Sequence, residues 1–134
     1  DNHSQNNLEE AKILYKNILK SLPTHFESIY LLGTIYAQTQ KYQNAEELLK
    51  KAISINPNFP EAHNNLGNVS QSLGKFQKAI SNYRNAIKIK PDFAEAHSNL
   101  AFIFIKLNKF KEAISSYKNS ITINPNNEIN DFGL

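Results

Sequence analysis

The chain has 134 residues, of which 40% are hydrophobic and 20% charged, and its formal net charge is +3. It contains no cysteine, which excludes disulfides, zinc–thiolate sites and thiol catalysis, and no apolar run approaches the ~18 residues of a transmembrane helix. Of its 15 lysine and arginine residues only Arg84 is an arginine. Because scattered lysines offer little bidentate phosphate recognition, the charge does not predict a nucleic-acid partner. Without a transmembrane segment we also expect no membrane partner.

Helix-forming segments follow one another along the chain, and we expect seven helices. The predicted segments, with ends placed to within ~2 residues, are 7–20, 26–39, 41–55, 60–73, 75–89, 94–107 and 109–123. The first, third, fifth and seventh segments are followed by prolines at a constant interval of 34 residues, namely Pro23, Pro57, Pro91 and Pro125. This interval is typical of helix-turn-helix repeats, so we expect the helices to stack as antiparallel pairs.

Small residues recur at fixed positions of the predicted repeat. In the first helix of each pair they are Gly33, Gly67 and Ala101, and in the second helix they are Ala11, Ala45, Ala79 and Ala113. Small residues facing large ones allow neighbouring helices to pack closely. Gln40, Gly74 and Asn108 mark the turn inside each pair, and Thr24, Asn58 and Asp92 each precede a glutamate by three residues, which predicts capping boxes.

With these residues the chain resembles the tetratricopeptide repeat family over residues 8–125. The Leu-Gly pairs, alanines, aromatic residues and prolines stand at the family's spacing, whereas Ser70 replaces an aromatic residue and His63 and His97 occupy a tryptophan position. The amino-acid sequence of the repeats is most similar to that of the repeat arrays of O-linked N-acetylglucosamine transferase. The resemblance implies an all-α fold, a right-handed α-solenoid of stacked antiparallel helix pairs.

The proline interval also divides the chain into units. We expect a half repeat at 4–25 that supplies only a second helix, complete repeats at 26–59, 60–93 and 94–127, and a tail or the start of a truncated or capping unit at 128–134. Since the sequence contains no methionine, we expect it to be a processed or excised piece of a longer array.

The titratable residues do not predict catalysis. His63 and His97 stand at equivalent positions of successive first helices, ~8–10 Å apart at the backbone, which is too far for a metal site without further ligands. The recurring Glu27, Glu61 and Glu95 are explained by helix capping. We therefore predict no enzymatic activity, no cofactor and no metal.

The candidate binding surface is the face of each first helix that the core of the pair does not use. The resemblance implies that this face lines a concave groove. The predicted contact residues are Tyr30, Thr34, Asn64, Asn65, Asn68, Asn99, Phe102, Ile105 and Lys106. Asn65 and Asn99 share one repeat position, where the resemblance implies contacts to a peptide backbone; the alternative is that they reflect an asparagine-rich composition. Phe102 and Ile105 predict either a pocket for a ligand side chain or a contact with another helix or copy.

These patterns favour a protein–protein interaction module that binds an extended peptide or a partner helix. One alternative is a substrate-recruiting arm of a larger transferase whose catalytic domain lies outside these residues. Another is self-association into homo-oligomers through the open ends of the solenoid. The absence of an export signal favours the cytoplasm.

Overall fold

The computed structural model describes residues 2–125, and within this range the chain forms seven α-helices and no strand. They are α1 Asn2–Ser21, α2 Phe26–Gln38, α3 Tyr42–Ile55, α4 Pro60–Ser72, α5 Phe76–Ile89, α6 Ala94–Lys106 and α7 Phe110–Ile123. The predicted order of helices is confirmed. The one large difference is α1, which begins at Asn2 rather than at residue 7, since no glycine or proline interrupts this stretch. The predicted tail at 128–134 lies outside the described residues.

The helices pack in sequence order as a solenoid. Three pairs, α2 with α3, α4 with α5 and α6 with α7, are joined by short turns, while α1 packs on α2, α3 on α4 and α5 on α6. Apolar side chains are buried between successive elements instead of in one central cluster: one group joins α3 to α4, and another joins α5, α6 and α7. The predicted all-α solenoid is therefore confirmed.

The turn inside each pair has one conformation throughout. Gln40, Gly74 and Asn108 have φ angles of 64°, 75° and 60°, the left-handed region in which glycine and asparagine cost least. In the first turn the Lys41 N–H donates to the Tyr36 carbonyl at 2.8 Å and the Gln40 N–H to the Ala37 carbonyl at 3.2 Å. Both bonds recur in the other two turns, so each first helix ends in a Schellman motif.

The predicted capping boxes are wrong. The residues at the N-caps of α2, α4 and α6 are His25, Phe59 and Phe93, one position after the predicted ones, and neither phenylalanine makes a side-chain cap bond. Thr24, Asn58 and Asp92 lie instead in the turn that follows each proline.

Aromatic packing explains why a phenylalanine, Phe59, occupies the N-cap of α4. The Phe59 ring lies edge-on to Phe26 and Tyr30, with centroid distances of 5.2 and 4.9 Å. Contacts of this kind stabilise by about 0.5–1.5 kcal/mol, which is comparable to the cap bond that they replace.

Within residues 2–125, one ion pair links neighbouring pairs of helices. The Lys75 ammonium lies 2.9 Å from the Glu46 carboxylate, and this bond lowers the pKa of the Glu46 carboxyl below its ordinary value. Because the Lys75 side chain is 39% exposed, solvent screens the pair and its contribution to stability is small.

At Gly67 the first helix of the central pair lies close against a side chain of the second. A Cβ atom added there would lie 2.5 Å from Cε1 and 2.7 Å from Cδ1 of Tyr83, a fully buried side chain. At the equivalent Gly33 the nearest atoms belong to the side chains of Leu48 and Leu49, at 3.2 Å. Gly67 thus makes room for the Tyr83 ring, and nothing as tight exists at Gly33.

We expect Gly67→Ala to lower the free energy of unfolding by about 1–2 kcal/mol. Overpacking costs roughly 1–3 kcal/mol, and the higher helix propensity of alanine offsets up to about 1 kcal/mol of that cost. Gly33→Ala, the matched control, should lie within about 1 kcal/mol of wild type. Urea denaturation followed by circular dichroism measures both values. An equal loss of unfolding free energy in the two variants would contradict the conclusion that Gly67 is packed more tightly than Gly33.

Candidate functional site

The three first helices lie side by side and present one common face. α4 contacts both α2 and α6. We call this face the groove and define it by eight of the predicted residues, all of them half-buried or exposed: Tyr30, Thr34, Asn65, Asn68, Asn99, Phe102, Ile105 and Lys106. Helical spacing therefore placed these residues on an accessible face, although their role in binding stays a prediction.

A cleft of about 320 Å³ opens in the groove between α2 and α4. It brings together three predicted residues, Thr34, Asn65 and Asn68. The other lining residues are Ala37, Gln38, Tyr42, Val69 and Ser72. Gln38 and Ser72 share one repeat position at the end of the first helix, and helical spacing places both on the same face as the predicted contact residues. Tyr42 opens a second helix, where groove spacing gives no such signal.

Asn65 joins α4 to α2 across this cleft. Its Nδ2 donates to the Tyr30 hydroxyl at 3.0 Å and, over a longer distance of 3.5 Å, to Thr34 Oγ1. Thr34 Oγ1 in turn donates to the Tyr30 backbone carbonyl at 2.9 Å. Burial raises the pKa of the Tyr30 hydroxyl, so this hydroxyl stays protonated at neutral pH. The Asn65 side chain is therefore held in place by neighbours on another helix.

Asn68 is held by a tyrosine from the second helix of its own pair. The Tyr83 hydroxyl donates to Asn68 Oδ1 at 2.6 Å and also lies 3.2 Å from Gln71 Oε1. The Tyr83 ring is fully buried beside Gly67, and burial, together with the charge of Glu95, raises the pKa of its hydroxyl. Asn68 is thus connected directly to the core.

The prediction that Asn64 lines the groove is wrong. Its side chain is only 1% exposed, and its Oδ1 accepts a hydrogen bond from Asn99 Nδ2 at 3.1 Å. It therefore ties α4 to α6 from beneath, and Asn99 keeps its place in the groove through this bond.

The groove becomes apolar on α6. Phe102 and Ile105 are 45% and 38% exposed, and the Lys106 ammonium lies 4.9 Å from the centroid of the Phe102 ring and 5.9 Å from that of Phe76. These distances are those of cation–π contacts. The groove therefore combines an apolar surface with a positive charge at this end.

The other candidate groups have structural positions. The Nε2–H groups of His63 and His97 donate to the carbonyls of Pro57 and Pro91 at 2.8 and 2.9 Å, which ties α4 and α6 to the turns that precede them. In the part of the chain that the structure describes, no three histidine, aspartate or glutamate side chains come close enough to hold a metal. Nor does any helix between residues 2 and 125 combine the length and hydropathy needed to cross a bilayer.

Comparison with known families gives one match over most of the chain. The family described as the tetratricopeptide repeat protein 21 C-terminal ARM domain matches residues 4–129. A comparison with curated proteins finds no match.

Solved structures of MamA are similar to this chain. A structure described as the crystal structure of MamA is 27% identical with a TM-score of 0.86, over 92% of this chain and 72% of that one. A second MamA crystal structure is 27% identical with a TM-score of 0.84, over 92% and 67%. MamA from Desulfovibrio magneticus RS-1 is 19% identical with a TM-score of 0.86, over 94% and 71%. These likenesses support the helical-repeat solenoid; the closer likeness to glycosyltransferase arrays stays a prediction.

We expect Tyr83→Phe to lower the free energy of unfolding by about 1 kcal/mol or more, because it leaves Asn68 Oδ1 without its donor. Tyr117→Phe is the matched control: this tyrosine occupies the same repeat position, and its hydroxyl makes no hydrogen bond within residues 2–125. It should stay within about 0.5 kcal/mol of wild type. Chemical denaturation of both variants is the measurement, and a larger loss in Tyr117→Phe would contradict the prediction.

Proposed function

Because the chain belongs to the family of the tetratricopeptide repeat protein 21 C-terminal ARM domain, we propose that it is a protein-interaction module that holds an extended peptide or a partner helix in the groove. The observation that carries this proposal is the continuous row of half-buried polar and exposed apolar side chains across α2, α4 and α6, with a cleft at one end. Such a row offers a long, shallow contact surface rather than an enclosed site for a small molecule.

The asparagines supply contacts that do not depend on the ligand's sequence. Asn65 and Asn99 occupy the same position of successive repeats, and each is held by one neighbouring helix. A side-chain amide has both donor and acceptor groups and can pair with any peptide unit. We therefore assign the backbone contacts to Asn65 and Asn99.

The α6 end of the groove supplies selectivity. Phe102 and Ile105 expose apolar surface beside the Lys106 ammonium. Burying an apolar ligand side chain there is favourable, and the lysine favours an adjacent negative charge. We assign to this end an apolar ligand residue next to an acidic one.

The prediction for the groove is that Asn65→Ala combined with Asn99→Ala weakens a bound peptide about tenfold, since each lost hydrogen bond contributes about 0.5–1.5 kcal/mol. Helicity should not change, because the hydrogen bonds of both side chains go to other side chains and not to a helix backbone. Isothermal titration with a peptide selected for binding to the chain measures the affinity, and circular dichroism measures the helicity.

The chain offers a matched control for this experiment. Asn85 and Asn119 are also exposed and also share one repeat position, but they lie on the second helices α5 and α7. Asn85→Ala with Asn119→Ala should leave the affinity unchanged, whereas Phe102→Ala should reduce discrimination between apolar and polar residues in the peptide. A peptide that binds the Asn65 and Asn99 variant as tightly as wild type would contradict the backbone contacts.

The remaining predictions from the sequence concern the repeat boundaries, catalysis and a role within a larger protein. The division into a half repeat and three complete repeats, the absence of enzymatic activity and the recruiting role beside a transferase domain stay predictions. The recruiting role would use the same groove, and the full open reading frame decides it by the presence or absence of a downstream transferase domain.

Self-association is a second candidate function, favoured by the outer face of α7. Phe110 and Ile114 are 57% and 56% exposed, whereas Ile80, at the position equivalent to Ile114 on α5, is 5% exposed because α6 covers it. The same apolar pattern that holds a helix on α5 is thus open on α7. Exposed apolar residues also occur on α1, at Ile13 and Leu14, so two copies offer each other apolar surface.

We expect Ile114→Lys to reduce concentration-dependent association severalfold, because a charge on the contact face opposes its burial. Ser115→Lys, an adjacent exposed change of the same charge, is the control and should have little effect. Static light scattering over a concentration series measures both. If the wild-type chain stays monomeric at high concentration, this candidate is wrong.

A further inference from the structure

The central pair of helices lacks an aromatic ring that the other two pairs supply. Tyr36, Ser70 and Phe104 share one repeat position near the end of the first helix. The Tyr36 ring packs against the cluster that joins α3 to α4. Phe104 is buried in the cluster that joins α5, α6 and α7. Ser70 is buried as well, with 1% of its surface exposed, but its side chain is far smaller. A small residue in place of a large one leaves space between the helices.

A cavity of about 140 Å³ lies beside Ser70, between α3, α4 and α5. The buried residues Leu66 and Ser70 form its inner wall, and the exposed residues Lys50 and Lys78 line it towards solvent. Most of the lining is apolar. An apolar cavity of about 150 Å³ takes up one benzene molecule, so the volume beside Ser70 corresponds to a single aromatic ring.

A cation accompanies the ring in both of the other pairs. The Lys16 ammonium lies 5.8 Å from the centroid of the Tyr36 ring. The Arg84 guanidinium lies 5.8 Å from that of Phe104. Lys50 occupies the same repeat position as Lys16 and Arg84, and it lines the cavity. The central pair therefore keeps the cation that contacts the ring elsewhere, although its own ring is missing.

The cavity also contains a polar group with an unused donor. Ser70 Oγ accepts a hydrogen bond from Asn82 Nδ2 at 3.2 Å, but within residues 2–125 the Ser70 O–H donates to no acceptor. A hydroxyl has one donor and two acceptor sites, and a buried donor without a partner is costly. Ser70 therefore favours an occupant that carries an oxygen atom at its inner end.

We propose that this cavity binds the side chain of a tyrosine carried by a partner protein. A tyrosine that enters from solvent points its hydroxyl inwards, so the phenol oxygen meets Ser70 while the ring packs on Leu66. The partner chain covers the exposed rim at Lys50 and Lys78, which a free single-ring compound would leave open to water. The site is separate from the groove, because Ser70 and Asn68 are two positions apart on α4 and hence about 200° apart around the helix.

The first test titrates the whole 134-residue chain with two probes that match side chains, p-cresol for tyrosine and toluene for phenylalanine. We expect p-cresol to bind about fivefold more tightly than toluene, because its hydroxyl pairs with Ser70. Nuclear magnetic resonance of the backbone amides measures both affinities and locates the site. Equal affinities of the two probes, or signal changes away from α3, α4 and α5, would overturn the inference.

Two substitutions at Ser70 separate the hydroxyl from the cavity. Ser70→Ala keeps the cavity and removes the hydroxyl, so it should weaken p-cresol about fivefold and leave toluene within about twofold of wild type. Ser70→Phe restores the ring of the other pairs and should weaken both probes at least about tenfold, because it fills the cavity.

Ser115→Phe is the matched control for the added ring. Ser115 is exposed on α7, so this variant should bind both probes like wild type. Undiminished binding to folded Ser70→Phe, with folding checked by circular dichroism, would contradict the site. If Ser70→Phe does not fold, the comparison of wild type with Ser70→Ala decides.

A selection experiment tests the partner. Peptides from a random display library are selected on the wild-type chain, and those that also bind Ser70→Phe are discarded. We expect the remaining peptides to share a tyrosine and to be displaced by p-cresol, and exchange of that tyrosine for phenylalanine should weaken binding about fivefold. A selection that enriches no tyrosine would overturn the partner protein, even where p-cresol binds as a free compound. The Asn65 and Asn99 variant should bind these peptides like wild type, so the groove is tested separately.

Discussion

The contact between Gly67 and the Tyr83 ring is the constraint on which the central repeat depends. Only a residue without a side chain leaves room for the ring between α4 and α5. The same ring is buried in the cluster that joins α5, α6 and α7. Its hydroxyl donates a hydrogen bond to Asn68 Oδ1 on α4. Tyr83 therefore connects the close packing of α4 and α5, the core between repeats and the polar surface of the groove.

Most of the fold follows from the periodicity of the sequence, because every turn repeats the same local chemistry. Gln40, Gly74 and Asn108 were recognisable as turn residues by position, and all three adopt positive φ. The N-caps of the first helices were placed one residue too early, because the capping pattern considers only local hydrogen bonds. Phe59 takes the N-cap instead, and its packing against Phe26 and Tyr30 is a contact with another helix that a local pattern cannot include.

The sequence predicted which helix face forms the groove, but it did not predict which residues of that face are buried. Helical spacing assigned Asn64 and Asn65 to one stripe, but Asn64 is buried and hydrogen-bonded to Asn99, whereas Asn65 is half-buried. Nor could spacing predict how the amides are turned. The orientation of Asn68 depends on Tyr83, which lies on a different helix and packs its ring against Gly67. The binding character of an asparagine in this fold is decided by its neighbours in space.

Groove chemistry therefore varies with the core residue behind it. In the first pair of helices the residue equivalent to Tyr83 is Leu49, which has no polar group to satisfy, and Thr34 stands in the groove. In the last pair Tyr117 occupies that position, but Phe102 replaces the asparagine, and the Tyr117 hydroxyl has no hydrogen bond within residues 2–125. Among the described residues, a tyrosine hydroxyl from a second helix bonds a groove residue only in the central pair. Since an unsatisfied buried hydroxyl costs about 1–3 kcal/mol, a change in the groove at Asn68 is also a change in the core, so binding and stability are coupled at this repeat.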